Sequence, residues 1–169
     1  MNEQWIFRTG SRADLPRIRA LLTSAGLPLA GFDSQPERFL LALRGSVLAG
    51  CALLERHGDV GLLRSVAVAE RERGAGLGEE MVRRLLARAR RERLPAVLLL
   101  TTTAAGFFPR FGFRAVSRAR VPAALKTTEE FAGACPATAT VMRLDLGAAE
   151  KRSTKRPGAA KKSRRARTP

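Results

Sequence analysis

A strand, a glycine turn and an amphipathic helix follow one another in the middle of the chain. The stretch 62–68 is short, apolar and bounded by turn residues, which predicts a β-strand. Beyond the glycines, apolar residues recur at helical spacing over 77–91, which predicts a helix with one buried face. Acidic residues occupy its first turn and basic residues follow, the order that the helix dipole favours. This strand–turn–helix unit is predicted to be the centre of the fold.

The segments before this unit predict one helix and three strands. An apolar run at 5–8 indicates a first strand, and a helix is expected from Asp14, as its N-cap, to Gly26, as its stop. Two more strands, at 39–43 and 47–54, are separated by a short turn that is typical of a hairpin. Antiparallel strands therefore lead into the central unit.

The segments after the central helix predict a buried strand and a late helix. The run 96–100 is wholly apolar, which is typical of a strand at the centre of a sheet. A helix is predicted over 104–111, with Thr103 as its cap. Two late strands are predicted at 114–116 and 138–144, and the residues between them form an excursion.

Gly74, Gly76 and Gly78 separate the central strand from its helix. Glycine accepts left-handed backbone and lets a ligand approach without a Cβ atom in the way. A helix that begins at such a turn presents unpaired amides, so the sequence predicts a phosphate-binding seat here. The spacing differs from the G-x-G-x-x-G dinucleotide fingerprint, and the Gly-Lys-Ser/Thr end of a nucleotide-binding loop is absent.

The glycine turn resembles the pyrophosphate motif Arg/Gln-x-x-Gly-x-Gly/Ala of the GNAT superfamily of acetyl-CoA-dependent N-acetyltransferases. Registers beginning at Arg71 and at Arg73 both fit, and the second is preferred because its last glycine leads directly into the helix. The segment 107–113 resembles the late helix of the family with its Gly-Phe ending. The resemblance covers about residues 6–146. It implies a single GNAT-type α/β (α+β) domain with a mixed, mostly antiparallel sheet of six to seven strands, splayed at the centre and flanked by helices.

The resemblance implies acetyl-CoA as cosubstrate and no metal. Candidate cofactor-binding residues are the strand that pairs with pantetheine, the pyrophosphate turn and one aromatic residue of the late helix: Val66, Ala67, Val68, Arg73, Gly74, Ala75, Gly76, Leu77, Gly78 and Phe108. GNAT enzymes often place a tyrosine acid where Phe108 stands, and this chain contains no tyrosine. Loss of such an acid costs about 10²–10⁴-fold in rate. A water, or a hydroxyl of Ser65, Thr101 or Thr102, could replace it.

Further motifs resemble the arsenic-resistance N-acetyltransferases and the acetyltransferase domain of N-acetylglutamate synthases. They are the Gly-Cys pair at 50–51, the Leu-Thr-Thr run at 100–102, and the segments 121–126 and 130–136. This resemblance implies a small-molecule amine acceptor, an amino acid or glutamate-like compound that could be an arsenical. The amine would attack acetyl-CoA directly in a ternary complex.

Four polar side chains are candidates for the acceptor side of the site, and Glu55 is the candidate base. Glu55 could deprotonate the amine directly or through water, although a solvated carboxylate at a strand end is the competing and slightly favoured interpretation. Arg64 lies within an apolar strand, so if buried it needs an anionic partner, either a substrate carboxylate or Glu55. The candidate substrate-binding residues are Arg64, Thr101, Thr102 and Lys126. The only histidine, His57, is expected to be exposed rather than catalytic.

Charge divides the chain into a domain over 1–148 and a basic tail over 149–169. The net charge is +16, and the nine Lys and Arg residues between 151 and 169 leave +7 for residues 1–150. The tail is too polar to bury a core, so it is expected to be disordered. It could contact nucleic acid weakly through counterion release, or serve solubility alone. The basic domain suits a cofactor with several phosphate charges.

The expected location is cytoplasmic, without membrane contact. No apolar run is long enough to span a bilayer, and residues 1–4 lack the basic start of a secretory signal. Cys51 and Cys135 lack metal-type spacing and are expected to be reduced thiols, although together they could bind a trivalent arsenical. The protein is expected to be a monomer or a homodimer. Two alternatives remain: a protein N-acetyltransferase, and a non-catalytic acyl-CoA-binding module with a nucleic-acid-binding tail.

Overall fold

Seven strands form one sheet in the computed structural model, which describes residues 4–147. The strands are β1 (Ile6–Thr9), β2 (Phe39–Arg44), β3 (Val47–His57), β4 (Val60–Val68), β5 (Ala96–Thr101), β6 (Arg114–Ala115) and β7 (Thr140–Asp145). Their order is β1-β2-β3-β4-β5-β7-β6, and every neighbouring pair is antiparallel except β4 and β5. The predicted mixed, mostly antiparallel sheet is confirmed. The predicted tail over 149–169 lies outside the described residues.

Helices cover both faces of the sheet. They are α1 (Leu15–Ser24), α2 (Leu77–Arg91) and the short α3 (Ala123–Lys126). Because side chains alternate along a strand, Cys51 and Leu53 of β3 pack in the cluster with α1, whereas Ala52 and Leu54 pack in the cluster with α2. The predicted bounds of α2 are confirmed, because its apolar stripe is uninterrupted from Leu77 to Ala89. Among residues 4–147, no helix is both long and apolar enough to cross a bilayer.

Asp14 occupies the predicted N-cap position of α1, but its carboxylate does not cap that helix. It accepts hydrogen bonds from the backbone amide and the hydroxyl of Ser11, both at 2.8 Å, and ion pairs with Arg8 and Arg17. Gly26, with a φ of 65°, ends the helix region as predicted.

The predicted helix over 104–111 is wrong. Only a single 3₁₀ turn forms, at Phe108–Phe111, after a separate turn closed by the bond from the Phe107 amide to the Ala104 carbonyl. Pro109 cannot donate a helical hydrogen bond, and Gly106 weakens any helix that includes it. Thr103 is not the cap either: the Ala104 amide donates to Oγ1 of Thr101 at 2.9 Å.

The sheet opens at its centre, between β4 and β5. These parallel strands pair only from Val60 opposite Ala96 to Leu62 opposite Leu98, and beyond that point they diverge. On its other side β4 stays paired with β3 as far as Val68, and β5 stays paired with β7 as far as Thr101. The sheet is therefore continuous where β4 and β5 begin, at Val60 and Ala96, and has a gap where they end, at Val68 and Thr101.

Candidate active site

The gap between β4 and β5 leads into a cleft of about 950 Å³. A smaller cleft of about 370 Å³ surrounds the glycine turn. Val68, Arg73, Gly78 and Phe107 line both, so the two clefts adjoin. A long ligand could therefore lie with one end at the glycine turn and the other between the diverging strands.

The glycine turn leaves an open seat at the N-terminus of α2. Gly74 and Gly76 have φ values of 77° and 86°, the left-handed region that favours glycine. A Cβ atom added to either would meet no described atom within 4 Å, so no part of the described chain fills the space above the turn. The first helical bond of α2 runs from the Glu80 amide to the Gly76 carbonyl, which leaves the preceding amides without acceptors in the helix. Such amides together with the helix dipole fit a phosphate group.

A bulge in β4 shapes the edge of the main cleft. Cys51 of β3 pairs with Ala67, and Leu53 pairs with Arg64, so β4 contains one extra residue in this interval. Ser65 takes up the irregularity with a φ of 54°, which is unusual for a residue other than glycine. Val66 lies within the bulge, and beyond it Ala67 and Val68 pair with β3 on one side and have the cleft on the other, where β5 has diverged. Backbone groups on that free edge can pair with a ligand.

Buried charges meet at the inner end of the main cleft. Arg64, Glu55 and Glu130 are 8%, 5% and 6% exposed. The Arg64 guanidinium lies 2.7 Å from the Glu130 carboxylate and 3.4 Å from that of Glu55, and it also donates to the Ala30 carbonyl. Nε2 of His57 lies 2.8 Å from the second oxygen of Glu55. The cluster ties β3, β4, the loop after α1 and the excursion before β7 to one point.

The two cysteines lie in different surroundings, and neither forms a disulfide. Cys51 is fully buried in the core beneath α1, and burial raises the pKa of its thiol to about 12. Cys135 lines the main cleft, and its thiol donates to Glu130 at 2.8 Å. Burial, and then the bond to Glu130, raise the pKa of Cys135 to about 12 as well. Both thiols are therefore protonated near neutral pH, whereas soft metals and metalloids bind the thiolate.

Most of the predicted site residues lie in the two clefts. The main cleft is lined by Arg64, Val66, Ala67, Val68, Arg73, Gly78, Thr101, Thr102 and Phe108, and the smaller one also by Gly74, Gly76 and Leu77. Ala75 is exposed in the glycine turn, and Glu55 is buried behind Arg64. Lys126 is exposed on α3 and is not among the residues that line either cleft. The binding and catalytic roles of all these residues stay predictions.

Sequence reasoning missed Glu130 and Glu72. Glu130 contacts Arg64 from a turn that begins far along the chain, and no local pattern indicates that pairing. Glu72 stands immediately before Arg73 within a run of charged residues, where an exposed position would be the ordinary expectation, yet it is 5% exposed. In the described part of the chain, no group of three or more His, Cys, Asp or Glu side chains is arranged to hold a metal ion.

Sequence comparison relates the chain to acetyltransferases. The profile of the acetyltransferase (GNAT) family matches residues 6–113. The amino-acid acetyltransferase of Pseudomonas fluorescens (strain Pf0-1) is 36% identical over 94 residues, which make up 54% of this chain and 22% of that protein. Glucosamine 6-phosphate N-acetyltransferase 1 of Oryza sativa subsp. japonica is 39% identical over 95 residues, 56% of each protein. The chain thus spans about a fifth of the first relative and about half of the second.

Solved structures share the fold. N-acetylglutamate synthase from Neisseria gonorrhoeae, complexed with coenzyme A and N-acetyl-glutamate, superposes with a TM-score of 0.74 and 21% identity, over 86% of this chain and 36% of that one. Rv2747 from Mycobacterium tuberculosis, in complex with CoA and NLQ, superposes with a TM-score of 0.71 and 25% identity, over 83% of this chain and 99% of that one.

Proposed function

The chain belongs to the acetyltransferase (GNAT) family, and from this premise we propose that it transfers an acetyl group from acetyl-CoA to the amine of a small amino acid or glutamate-like acceptor. The observation that supports the proposal is the pair of adjoining clefts, which joins an open helix N-terminus to a buried charged cluster through the gap between β4 and β5. The first end suits a pyrophosphate and the second a small polar acceptor.

The free edge of β4 is suited to hold the thioester. Acetyl-CoA supplies a thioester carbonyl and a thiolate leaving group. Backbone amides near Val66–Val68, at and beyond the bulge, would donate to pantetheine and to the thioester oxygen. Ala67 and Val68 pair with β3, which fixes this stretch of β4, so the donors are in place before the reaction begins.

Glu55 would take the proton of the amine through an intermediary. The carboxylate is buried behind Arg64 and does not line the cleft, so the proton would pass through water. The attacking amine forms the new C–N bond as the C–S bond breaks. Direct transfer within a ternary complex therefore needs no covalent intermediate on the protein.

A hydroxyl is the proposed proton source for the departing thiolate. Phe108, at the position where the family resemblance places a tyrosine acid, is 5% exposed and packs edge-on against Phe107 and Phe113. It can contribute apolar contact but no proton. Thr101 lines the cleft, and its oxygen accepts from the Ala104 amide, which orients the hydroxyl and leaves its own proton available to donate.

Arg64 is the candidate contact for the acceptor. Arg64 could contact an acceptor carboxylate, because it lines the main cleft and its contact with Glu55 is long, at 3.4 Å. The similarity to an amino-acid acetyltransferase supports this class, and an arsenical amino-acid analogue is a finer candidate within it. The similarity to a glucosamine 6-phosphate N-acetyltransferase supports an amino-sugar phosphate as the second candidate.

A screen for CoA release over amino acids, arsenical and phosphinic analogues, and glucosamine 6-phosphate tests the proposal. With the best acceptor, Arg64→Ala should raise the acceptor KM about tenfold while the KM for acetyl-CoA holds, as expected for a lost acceptor contact. Because Arg64→Ala leaves buried carboxylates unpaired, Arg64→Lys is the second variant, which keeps the charge and loses the two-pronged contact. Arg56→Ala, on an exposed residue near the end of the same hairpin, is the control.

Two results would contradict the proposal. Absence of turnover with every acceptor would contradict the catalytic claim. Equally weakened binding of both substrates in the Arg64 variants would show that Arg64 serves the fold instead.

For the basic tail we propose weak, salt-sensitive contact with nucleic acid, supported by its nine positive charges. We also propose that the protein is located in the cytoplasm.

A further inference from the structure

A buried carboxylate connects the residue before the glycine turn to the edge of the sheet formed by β1 and β2. Glu72, immediately before Arg73, accepts from Nε1 of Trp5 at 3.0 Å and from Arg44 at 3.0 Å (Nε) and 2.7 Å (Nη2). The Arg44 guanidinium also lies 5.5 Å from the centre of the Trp5 ring. Trp5 precedes β1 and Arg44 ends β2, so the contact joins the glycine turn to the two strands farthest from the cleft on that side.

The charge of Glu72 is unfavourable for a phosphate seat unless it is compensated. Glu72 lines the smaller cleft together with Arg73 and Gly74, where the pyrophosphate would lie. Arg44 supplies the compensating positive charge. Hydrogen bonds from Arg44, and then from Trp5, lower the pKa of Glu72, so the carboxylate stays ionised at neutral pH. Arg44 and Trp5 therefore hold the Glu72 carboxylate in place, and Arg44 compensates its charge.

The turn depends on its two ends for its position. Residues 73–76 are all exposed, and Cβ atoms at Gly74 and Gly76 would contact nothing described. After the turn, Leu77 is 1% exposed and fixes the start of α2 in the core. Before the turn, the buried side chain is Glu72. A flexible glycine segment held at both ends presents its amides in one arrangement, and the same segment released at one end must be ordered when the ligand binds.

We infer that Glu72 is a positioning residue, held by Trp5 and Arg44, that preorganises the glycine turn for the pyrophosphate of acetyl-CoA. The inference rests on the proposed function, because acetyl-CoA is the ligand it concerns. It assigns no chemical step to Glu72. It predicts that disturbing the contact weakens cofactor binding and leaves acceptor binding unchanged.

Isothermal calorimetry with acetyl-CoA on the full chain tests the inference. Glu72→Gln, which removes the charge paired with Arg44, should raise the Kd about tenfold. Trp5→Phe, which removes one hydrogen bond and keeps an aromatic ring, should raise it about threefold. Glu70→Gln, in the same turn but exposed, is the matched control and should bind within twofold of the wild type. The acceptor KM at saturating acetyl-CoA should stay constant in all three variants.

Trp5 provides an independent readout, because it is the only tryptophan in the chain. Its emission should change as acetyl-CoA is added to the wild type, since its indole contacts the residue that adjoins the turn. The change should shrink in Glu72→Gln. Thermal unfolding checks each variant, and if Glu72→Gln does not fold, Trp5→Phe and Arg44→Lys decide the question.

The outcomes separate the inference from the proposed function. Tight binding by the wild type with unaltered Kd values in Glu72→Gln, Trp5→Phe and Arg44→Lys would overturn the positioning role and leave the acetyl-CoA proposal standing. A wild type that gives no heat with acetyl-CoA would overturn both. Weakened cofactor binding with an equal rise in acceptor KM would show that Glu72 serves the whole fold, which also overturns the positioning role.

Discussion

Arg64 brings one positive charge between two buried carboxylates, Glu55 and Glu130. The cluster is therefore negative overall unless His57, 2.8 Å from Glu55, is protonated. An excess of negative charge beside the cleft favours a cationic amine as it arrives, and a carboxylate base then has a proton to remove. The sequence indicated the Glu55 contact because β3 and β4 are consecutive antiparallel strands. The Glu130 contact depends on the path of the excursion, which no local pattern specifies.

Asp14 is the residue whose ionisation should contribute most visibly to stability. It is 1% exposed and accepts from Arg8 at 2.6 Å, from Arg17 and from Ser11. The hydrogen bond from Arg8 is the main cause that holds the pKa of Asp14 far below its usual value. A depressed folded-state pKa stabilises the protein above the unfolded pKa of about 4, and this contribution is lost as the pH falls towards the folded value.

We expect Asp14→Asn to lower the free energy of unfolding at pH 7 by about 2 kcal/mol, because charge-assisted bonds to two arginines are lost. Below pH 4 the variant should lose less stability with falling pH than the wild type does. Urea unfolding between pH 7 and pH 3 measures both effects. Asp33→Asn, at an exposed carboxylate, should change stability by less than about 0.5 kcal/mol. Parallel pH profiles for wild type and Asp14→Asn would contradict the prediction.

The elements that could be predicted are those whose pattern is local. The bounds of α2 follow from an apolar stripe of several turns, and β5 follows from an unbroken apolar run. The prediction of a late helix is wrong because apolar residues at 107, 108 and 111 have helical spacing, whereas Gly106 and Pro109 disfavour the helical hydrogen-bond pattern. The Ser65 bulge could not be predicted, because it is a matter of register between two strands. The glycine turn was predictable, and its anchor at Glu72 was not.

Gly78 should separate the stability of α2 from the binding of acetyl-CoA. It lies within the helix and lines both clefts, and an added Cβ would be 3.6 Å from Phe107 and Val68, an ordinary contact. Gly78→Ala should therefore leave stability unchanged or raise it by up to about 1 kcal/mol, since alanine favours helix. The same methyl group would occupy space at the pyrophosphate seat, so the Kd for acetyl-CoA should rise roughly tenfold.

Gly76→Ala is the comparison variant for this test. Its φ of 86° would strain alanine by about 1–2 kcal/mol, so stability and binding should both fall. Thermal unfolding and calorimetry on the two variants measure both quantities. If Gly78→Ala binds acetyl-CoA as the wild type does, the phosphate seat does not extend to the first turn of α2.

At the scale of the whole molecule, the two ends of the site differ in how their residues are distributed along the sequence. The proposed cofactor end consists of backbone amides and glycines at one helix N-terminus, features that are contiguous in the sequence. The proposed acceptor end brings together Ala30, Arg64, Glu130 and Cys135, which come from segments far apart in the chain. This difference explains why the cofactor could be inferred from a motif, whereas the acceptor requires a screen. The net charge of +7 over residues 1–150 adds a long-range attraction for any polyanionic ligand.

Removal of residues 149–169 should separate nucleic-acid contact from acetyl transfer. Within the tail, residues 151–169 hold nine positive charges and no acid, so the full chain should retain DNA at low salt, with an affinity that falls steeply as salt rises. The shortened chain should lose most of this binding and its salt dependence. Because every cleft residue lies between 25 and 136, its kcat and its KM for acetyl-CoA should stay within about twofold of the full chain. Filter binding from 20 to 200 mM salt, alongside a CoA-release assay, measures both properties. Equal DNA affinity for the two chains would place the contact on the basic domain, and a loss of turnover on shortening would show that the tail serves the catalytic unit.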